Sequence, residues 1–355
     1  MKILLQTKTP LTQTDIIEHL RQLRIHSLAE SSHFAVAAII EINLPHGEFA
    51  YVCGVNVEHH QHNRLSMHAE QSAIVSAQSL FGGNIQFSKA WVMGAPDTIQ
   101  HGSEHPLANN EVKPCGHCRQ ILMSFATTDT EIYSVTVNGV VGAAEKLIDL
   151  LPHAFSERDL AVSTTDESVL QASGASVSST PEETQPWKLL NVRMRLSNEN
   201  IRRFGCMIKP HIIDSGYQTS AIQSCIIKCL VDGQSQRYFF GALVQDIAFL
   251  TTDAIFASIA QAVTASGRTL QIEEIHLQIK SIHKSILLSN CETSHITRFM
   301  PVNGQITMQL HTAEASSEPL LFSVDDLEKK TIELQVDSLL SRDPTVSSTS
   351  YCTIM

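Results

Sequence analysis

Two short segments of this chain carry residue types that can hold a metal ion and move a proton: His68-Ala69-Glu70 and Pro114-Cys115-Gly116-His117-Cys118. A Cys-x-x-Cys at the start of a helix turns both sulfurs toward one point, where free amide groups and the helix dipole favour thiolates. His68 added to Cys115 and Cys118 makes three protein ligands for Zn²⁺, a borderline-soft ion. Three ligands leave a fourth position open to water, which is how catalytic zinc sites differ from structural ones. Glu70, two residues from the histidine, can reach such a water without being a ligand and shuttle its protons. Alone, the cysteine pair suits a redox couple or half of a structural zinc site equally well, and His-x-Glu says little. Together, each at a predicted helix start, they point to metal-assisted hydrolysis with a carboxylate proton shuttle.

Residues 68–70 and 115–118 must be brought together by a scaffold, and the hydrophobic pattern supplies one. Ile16, Ile17, Leu20 and Leu23 form an apolar helical face over Asp15–Arg24, with Asp15 as the expected N-cap and Glu18 three residues on. Phe34–Ile40 and Tyr51–Val55 read as the strands of a hairpin through Pro45-His46-Gly47. A helix is predicted from about His68 to Leu80, ending at Gly82-Gly83, and then a buried strand over Ala90–Met93. A long polar loop, a helix from about Cys115, a strand near Glu131–Val137 and a helix around Glu145–Leu151 follow. Strands alternating with helices predict an α/β fold, here a three-layer α/β/α arrangement with a mixed sheet flanked by helices.

The chain divides into four parts in this reading. Residues 1–160 form the catalytic domain. Residues 161–186 hold ten Ser or Thr, four acidic residues and no basic one. That is too little apolar surface to offset the entropy of ordering, so a flexible linker is expected. Apolar alternation resumes at Trp187 and predicts a second domain over 187–338, followed by a disordered tail over 339–355. Tyr238–Asp246 matches Ala50–Glu58 in pattern, and a helix-like run over Asp253–Ala265 follows, so the second domain reads as a degenerate duplicate of the first. It lacks the chemistry: the histidine and glutamate are missing around Thr251-Thr252-Asp253-Ala254, and no Cys-x-x-Cys follows. Cys225 and Cys229, four apart in a strand-like run, share a face and read as core.

With 355 residues, 43% apolar and 17% charged, the chain suits two globular domains. Its net charge of −11 works against binding polyphosphate backbones, so nucleic acid is not expected as a partner. Ile3-Leu4-Leu5 is too short for the core of a secretory signal, and no apolar run approaches the ~20 residues of a membrane span. A cytoplasmic, reducing location is expected, with most of the eight cysteines as small buried hydrophobes.

Met67-His68-Ala69-Glu70-Gln71-Ser72-Ala73-Ile74 and Lys113-Pro114-Cys115-Gly116-His117-Cys118-Arg119-Gln120-Ile121 closely resemble the cytidine deaminase family, whose chemistry the ligand pattern also fits. The resemblance is closest to its two-domain, homodimeric branch of enteric bacteria and plants. Phe34–Ala38 looks like the family's first core strand and Leu151-Pro152-His153-Ala154-Phe155 like its closing motif. The match covers roughly residues 30–160 and fades beyond the linker. It implies Zn²⁺ on His68, Cys115 and Cys118, Glu70 as proton shuttle, and no organic cofactor. It also implies Asn56 and Glu58 on the ribose 3′-hydroxyl, Phe34 and Phe155 against the pyrimidine ring, and the Ala69 amide at the ring's carbonyl edge. Arg119 would offset the thiolate charge. The implied reaction is hydrolytic deamination of cytidine and 2′-deoxycytidine to uridine and 2′-deoxyuridine plus ammonia, in pyrimidine salvage, by a homodimer. The alternatives are the same fold acting on another modified nucleoside, or a non-catalytic binding or membrane-recruited protein that retains the zinc site.

Some positions depart from the family. Lys113 stands where a small or hydroxylic residue is more usual, and Ser156 replaces a glycine. The loop with His59, His60, His62 and Arg64 also differs, and reads more simply as a solvated polar loop than as a second metal site. Cys352-Thr353-Ile354-Met355 fits the C-a-a-X pattern for farnesylation of Cys352, without an upstream polybasic segment. A membrane partner is expected only if that cysteine is prenylated.

Overall fold

The computed structural model describes residues 2–44, 47–59, 66–82, 85–155, 196–208, 210, 222–233, 235–245, 251–279, 285–301, 304–313, 315–328, 331–335 and 352–354. Two compact units divide the chain. Among the described residues the first comprises Lys2–Phe155 with Gln245, Thr251 and Val263–Arg268, and the second the rest. The stretch 161–186, read from its composition as a linker, lies outside the described residues.

The first unit runs β1 (Leu4–Thr7), α1 (Gln13–Arg24), β2 (Phe34–Asn43), β3 (Phe49–Val55), α2 (Ala69–Phe81), β4 (Phe87–Pro96), α3 (Gly116–Met123), β5 (Ala126–Val135), β6 (Glu145–Lys146) and α4 (Leu147–Leu150). Its six strands lie in the order β1-β3-β2-β4-β5-β6; β4 and β5 are parallel and the other neighbours antiparallel. Ala37, Ala38, Ile39 and Ile40 of β2 are all buried. A strand apolar on consecutive residues is what a sheet covered on both faces requires.

Two residues of β3 show which helix covers which face. Tyr51 and Gly54 point to opposite sides, being an odd number of residues apart. The Tyr51 hydroxyl accepts a hydrogen bond from Leu11 N at 2.9 Å, just ahead of α1. Gly54 backs onto α2 so closely that a Cβ there would lie 2.3 Å from both Ala69 O and Ala73 N. The sheet is therefore the middle layer, with α1 and α2 on either side.

Element boundaries differ from expectation in several places: β4 extends beyond Ala90–Met93 at both ends and β5 begins at Ala126 rather than near Glu131. Helix α1 begins one turn earlier, because Thr12 is the N-cap and Asp15, at the third helical position, closes a reciprocal capping box with it. Arg24 at its other end is buried and donates to the carbonyls of Ala95, Pro96 and Ile99. Glu145 and Lys146 pair with β5 as a strand, so the last helix starts only at Leu147. Of the expected disordered tail, Cys352–Ile354 form a strand, β-branched at two of three positions, and the rest lies outside the described residues.

The second part of the chain runs α5 (Asn198–Met207), β7 (Ile222–Val231), β8 (Ser235–Ala242), β9 (Val244–Gln245), β10 (Thr251–Thr252), α6 (Ala254–Ser266), β11 (Leu270–Ile279), β12 (Ser285–Ser289), α7 (Asn290–Thr297), β13 (Gln305–His311), β14 (Leu320–Ser323), α8 (Val324–Leu327), β15 (Thr331–Gln335) and β16 (Cys352–Ile354), all in the second unit except Gln245, Thr251 and the last turn of α6 from Val263. Short β9 and β10 pair with each other, and β12, β15 and β16 form a three-stranded sheet. The main sheet has the order β8-β7-β11-β13-β14, with only β11 and β13 parallel. This repeats β3-β2-β4-β5-β6 strand for strand and sense for sense. The details repeat as well. Tyr238 accepts from Leu196 N at 3.0 Å, as Tyr51 does from Leu11, and a Cβ on Gly241 would meet Ala254 O and Ser258 N at 2.4 Å.

This correspondence shows what stands where the first unit has its chemical residues. Asp253 precedes α6 as His68 precedes α2. Ser289 and Glu292 hold the N-cap and third helical positions of α7 that Cys115 and Cys118 hold in α3. Here the side chains serve the helix ends: Asp253 accepts from Phe256 N at 2.7 Å, and Glu292 accepts from Ser289 N at 2.7 Å. Burial, with the Glu292 carboxylate nearby, pushes the Asp253 pKa up to about 7. A carboxyl group whose pKa is raised by folding contributes its full stability below the unfolded pKa of ~4 and loses it as pH rises toward 7. Asp253→Asn keeps the capping oxygen and removes the charge. It is expected to stabilise the chain by about 1–3 kcal/mol at pH 8 and much less at pH 5. Melting temperatures at the two pH values check this; equal shifts would refute it.

Candidate active site

His68 is the N-cap of α2 and Cys115 the N-cap of α3, both with extended backbone (ψ 159° and 169°) and neither making a side-chain cap hydrogen bond. Cys118 lies one turn into α3 and is buried, while His68 and Cys115 are exposed. The two helix starts thus converge, and three ligand atoms lie within 4.8 Å of one another. His68 Nδ1 is 3.4 Å from Cys115 Sγ and 3.3 Å from Cys118 Sγ. Tetrahedral zinc with bonds of ~2.3 Å to sulfur and ~2.0 Å to nitrogen separates such atoms by roughly 3.5 Å, so the donor set fits Zn²⁺ in both chemistry and spacing. Among the described residues this is the only such group of three His, Cys, Asp or Glu.

The electrostatics of the cluster follow from its hydrogen bonds. Those from Cys118 and His68 hold the Cys115 pKa down at about 3, so this sulfur is a thiolate. The hydrogen bond with Cys115, together with burial, drives Cys118 upward. His68 is raised chiefly by its hydrogen bond to Cys115, against its own burial. Glu70 sits in the first turn of α2, and its burial raises its pKa. Burial thus favours the protonated form of this carboxyl group relative to one in water.

Two of the residues matched to nucleoside contacts, Phe34 and Asn56, lie together at one end of β2 and β3. Phe34 opens β2, and Asn56 directly follows β3. Asn56 Oδ1 accepts from Val36 N at 2.8 Å and from Ser27 Oγ at 2.5 Å, and its amide nitrogen donates to Phe34 O at 3.0 Å. Glu58 accepts from Ser31 N at 2.8 Å, Ser32 N at 3.0 Å and the Ser32 hydroxyl. Ala69 is buried as the first residue of α2. Phe155 is 38% exposed. Arg119 donates to Pro114 O at 2.8 Å and Leu150 O at 3.0 Å, so its hydrogen bonds tie the loop before α3 to the end of α4. Lys113 is held by Glu145 at 2.7 Å.

Some groups lie outside the sequence expectations. His59 is buried, with its amide donating to Ser66 Oγ at 3.0 Å, while residues 60–65 of the histidine-rich loop lie outside the described residues, as does Ser156. Ser27, Ser31 and Ser32, which brace Asn56 and Glu58, and Gln120, which binds Phe155, were not legible from residue type. His117 lies inside the Cys-x-x-Cys, and its ring is 5.7 Å from that of His68. Cys352 lies in β16, its backbone opposite Leu334. Among the described residues no helix is long and apolar enough to cross a membrane.

No curated protein matches the chain. Among solved structures, the cytidine deaminase from Burkholderia pseudomallei is 26% identical over 41% of this chain and 100% of its own, with a TM-score of 0.33. The cytidine deaminase from Mycobacterium leprae is 24% identical over 40% of this chain and 99% of its own, with a TM-score of 0.30. Residues 13–134, which contain His68, Glu70, Cys115 and Cys118, match the model of the cytidine and deoxycytidylate deaminase zinc-binding region.

Proposed function

We propose that the first unit is a zinc-dependent hydrolytic deaminase that converts cytidine and 2′-deoxycytidine to uridine and 2′-deoxyuridine with release of ammonia. The observation that carries this reading is the convergence of His68, Cys115 and Cys118 beside the buried Glu70, within the segment matched by the deaminase family model. Zinc, when bound there, supplies a water whose pKa is lowered toward 7. Glu70 takes one proton from the attacking water and delivers it to ring N3, then takes the second from the hydroxyl that has added to C4 and passes it to the departing amine. Burial suits it to this, since raising the pKa of a carboxyl group makes it a better proton acceptor. Asn56 and Glu58 bind the ribose 3′-hydroxyl, Phe34 and Phe155 pack on the pyrimidine ring, and the Ala69 amide meets its carbonyl edge. Arg119 fixes the loop and helix that carry the thiolates. The setting is pyrimidine salvage in the cytoplasm by a homodimer, and the net charge of −11 favours a small nucleoside over a polynucleotide.

The test is the loss of cytidine absorbance with purified protein of known zinc content. Turnover that disappears on chelation and returns with added zinc is the expected result. Bound zinc without turnover of either nucleoside would refute the substrate assignment.

A further inference from the structure

Phe155 is a large apolar side chain left substantially exposed, yet its backbone is held with unusual care. Phe155 N donates to Gln120 Oε1 at 3.0 Å, and Gln120 Nε2 donates back to Phe155 O at 2.9 Å. One side-chain amide thus satisfies both backbone groups of a single residue, as a neighbouring strand would. The pairing also fixes the orientation of the amide, since only its oxygen can accept and only its nitrogen can donate. Among the described residues, no other hydrogen bond is made by the backbone from Pro152 to Phe155. Gln120 lies two residues beyond Cys118 on α3, and Arg119 between them donates to Leu150 O at 3.0 Å, at the start of the same segment. The helix that carries both cysteines therefore grips residues 150–155 at each end.

A phenyl ring left 38% exposed forgoes part of the stability that full burial would give, since that share of its surface stays in water. A two-bond clamp on such a residue makes physical sense if the ring is being kept ready for an apolar face that arrives from solution. Fixing it in advance removes the ordering cost from binding. We propose that Gln120 is a positioning residue that clamps Phe155 in register with the helix of the zinc ligands, so that the ring is preset for a pyrimidine. This rests on the deaminase reading for the identity of the ligand, though not for the clamp itself.

The test uses the full-length zinc-loaded protein with Gln120→Ala, Phe155→Ala and the double variant. Hydrogen exchange at the Phe155 amide reads the clamp without reference to activity, and cytidine kinetics read its use. For Gln120→Ala we expect at least tenfold faster exchange at that amide, about a tenfold rise in KM, kcat within about threefold of wild type, and unchanged zinc. The double variant should be no worse than Phe155→Ala alone, because Gln120 acts through Phe155. Gln120→Glu, which can accept from the amide but not donate to the carbonyl, should fall between wild type and Gln120→Ala. Unchanged exchange would overturn the clamp. Faster exchange with unchanged KM, or additive losses in the double variant, would overturn its role in substrate binding. A wild type that turns over no nucleoside would refute the deaminase reading, and the exchange rates would still decide the clamp.

Discussion

Glu70→Gln is expected to lower kcat for cytidine about a thousandfold, with zinc remaining near one ion per chain. The substitution is nearly isosteric, so the start of α2 and its buried environment should persist. What is lost is the ability to hold a proton and release it. The glutamine amide can still donate and accept hydrogen bonds, so orientation of a bound nucleoside is largely retained and KM should move little. Because Glu70 is asked to transfer protons at more than one point in the reaction, the effect should fall well inside the 10²–10⁴ range of general acid–base catalysis rather than at its floor. Steady-state kinetics with metal analysis on the same preparation decide the matter. A loss smaller than tenfold, with zinc bound, would remove Glu70 from its role.

The second large effect is expected at a residue that touches no substrate. Gly54→Ala places a methyl group 2.3 Å from Ala69 O and Ala73 N, which are helix backbone atoms and cannot rotate away. Either β3 or the start of α2 must move, and overpacking of this kind typically costs about 1–3 kcal/mol, more when the obstacle is backbone. Movement of α2 carries His68 and Glu70 with it. The expected result is a loss of about 3 kcal/mol or more in stability and of most of the zinc and activity. Gly241→Ala provides the comparison, since its methyl group meets α6 backbone at 2.4 Å in the unit that has no ligand cluster among its described residues. It should destabilise comparably while zinc per folded chain stays unchanged. Denaturant unfolding and zinc per soluble chain distinguish the two; equal zinc retention would show that α2 does not yield at Gly54.

His68, Glu70, Cys115 and Cys118 could be picked out from residue type and order because the chemistry narrows the choice: few residues bind soft metals, and helix starts favour thiolates. Both ends of α2 and the start of α3 followed within a residue or so, with Gly82-Gly83 marking where α2 stops. The likeness of Tyr238–Asp246 to Ala50–Glu58 was visible as pattern but one residue out of register: the matching backbone bonds pair Tyr238 with Tyr51, not Ala50, and the matching close approaches pair Gly241 with Gly54, not Cys53. What stayed hidden was long-range or ambiguous. Thr12 and Asp15 are both good caps, and only the reciprocal hydrogen bonds choose between them. Glu145 and Lys146 suit a helix by propensity, but β5 offers them a ladder. Gln120 and Phe155 lie 35 positions apart, and nothing in either residue announces the other.

The two helices that open on His68 and Cys115 begin without side-chain caps, whereas their counterparts open on Asp253 and Ser289 with caps intact. The consequence concerns supply. A helix start whose cap residue is committed to a metal cluster leaves its first amides to be held by that cluster or by water. When zinc is scarce, the two halves of the chain should therefore age differently. The first turns of α2 and α3 loosen and offer cutting points to proteases, while the duplicate remains shut. The lifetime of the protein in a cell would then follow the availability of the ion, and chelation during limited digestion should leave fragments of the second unit behind.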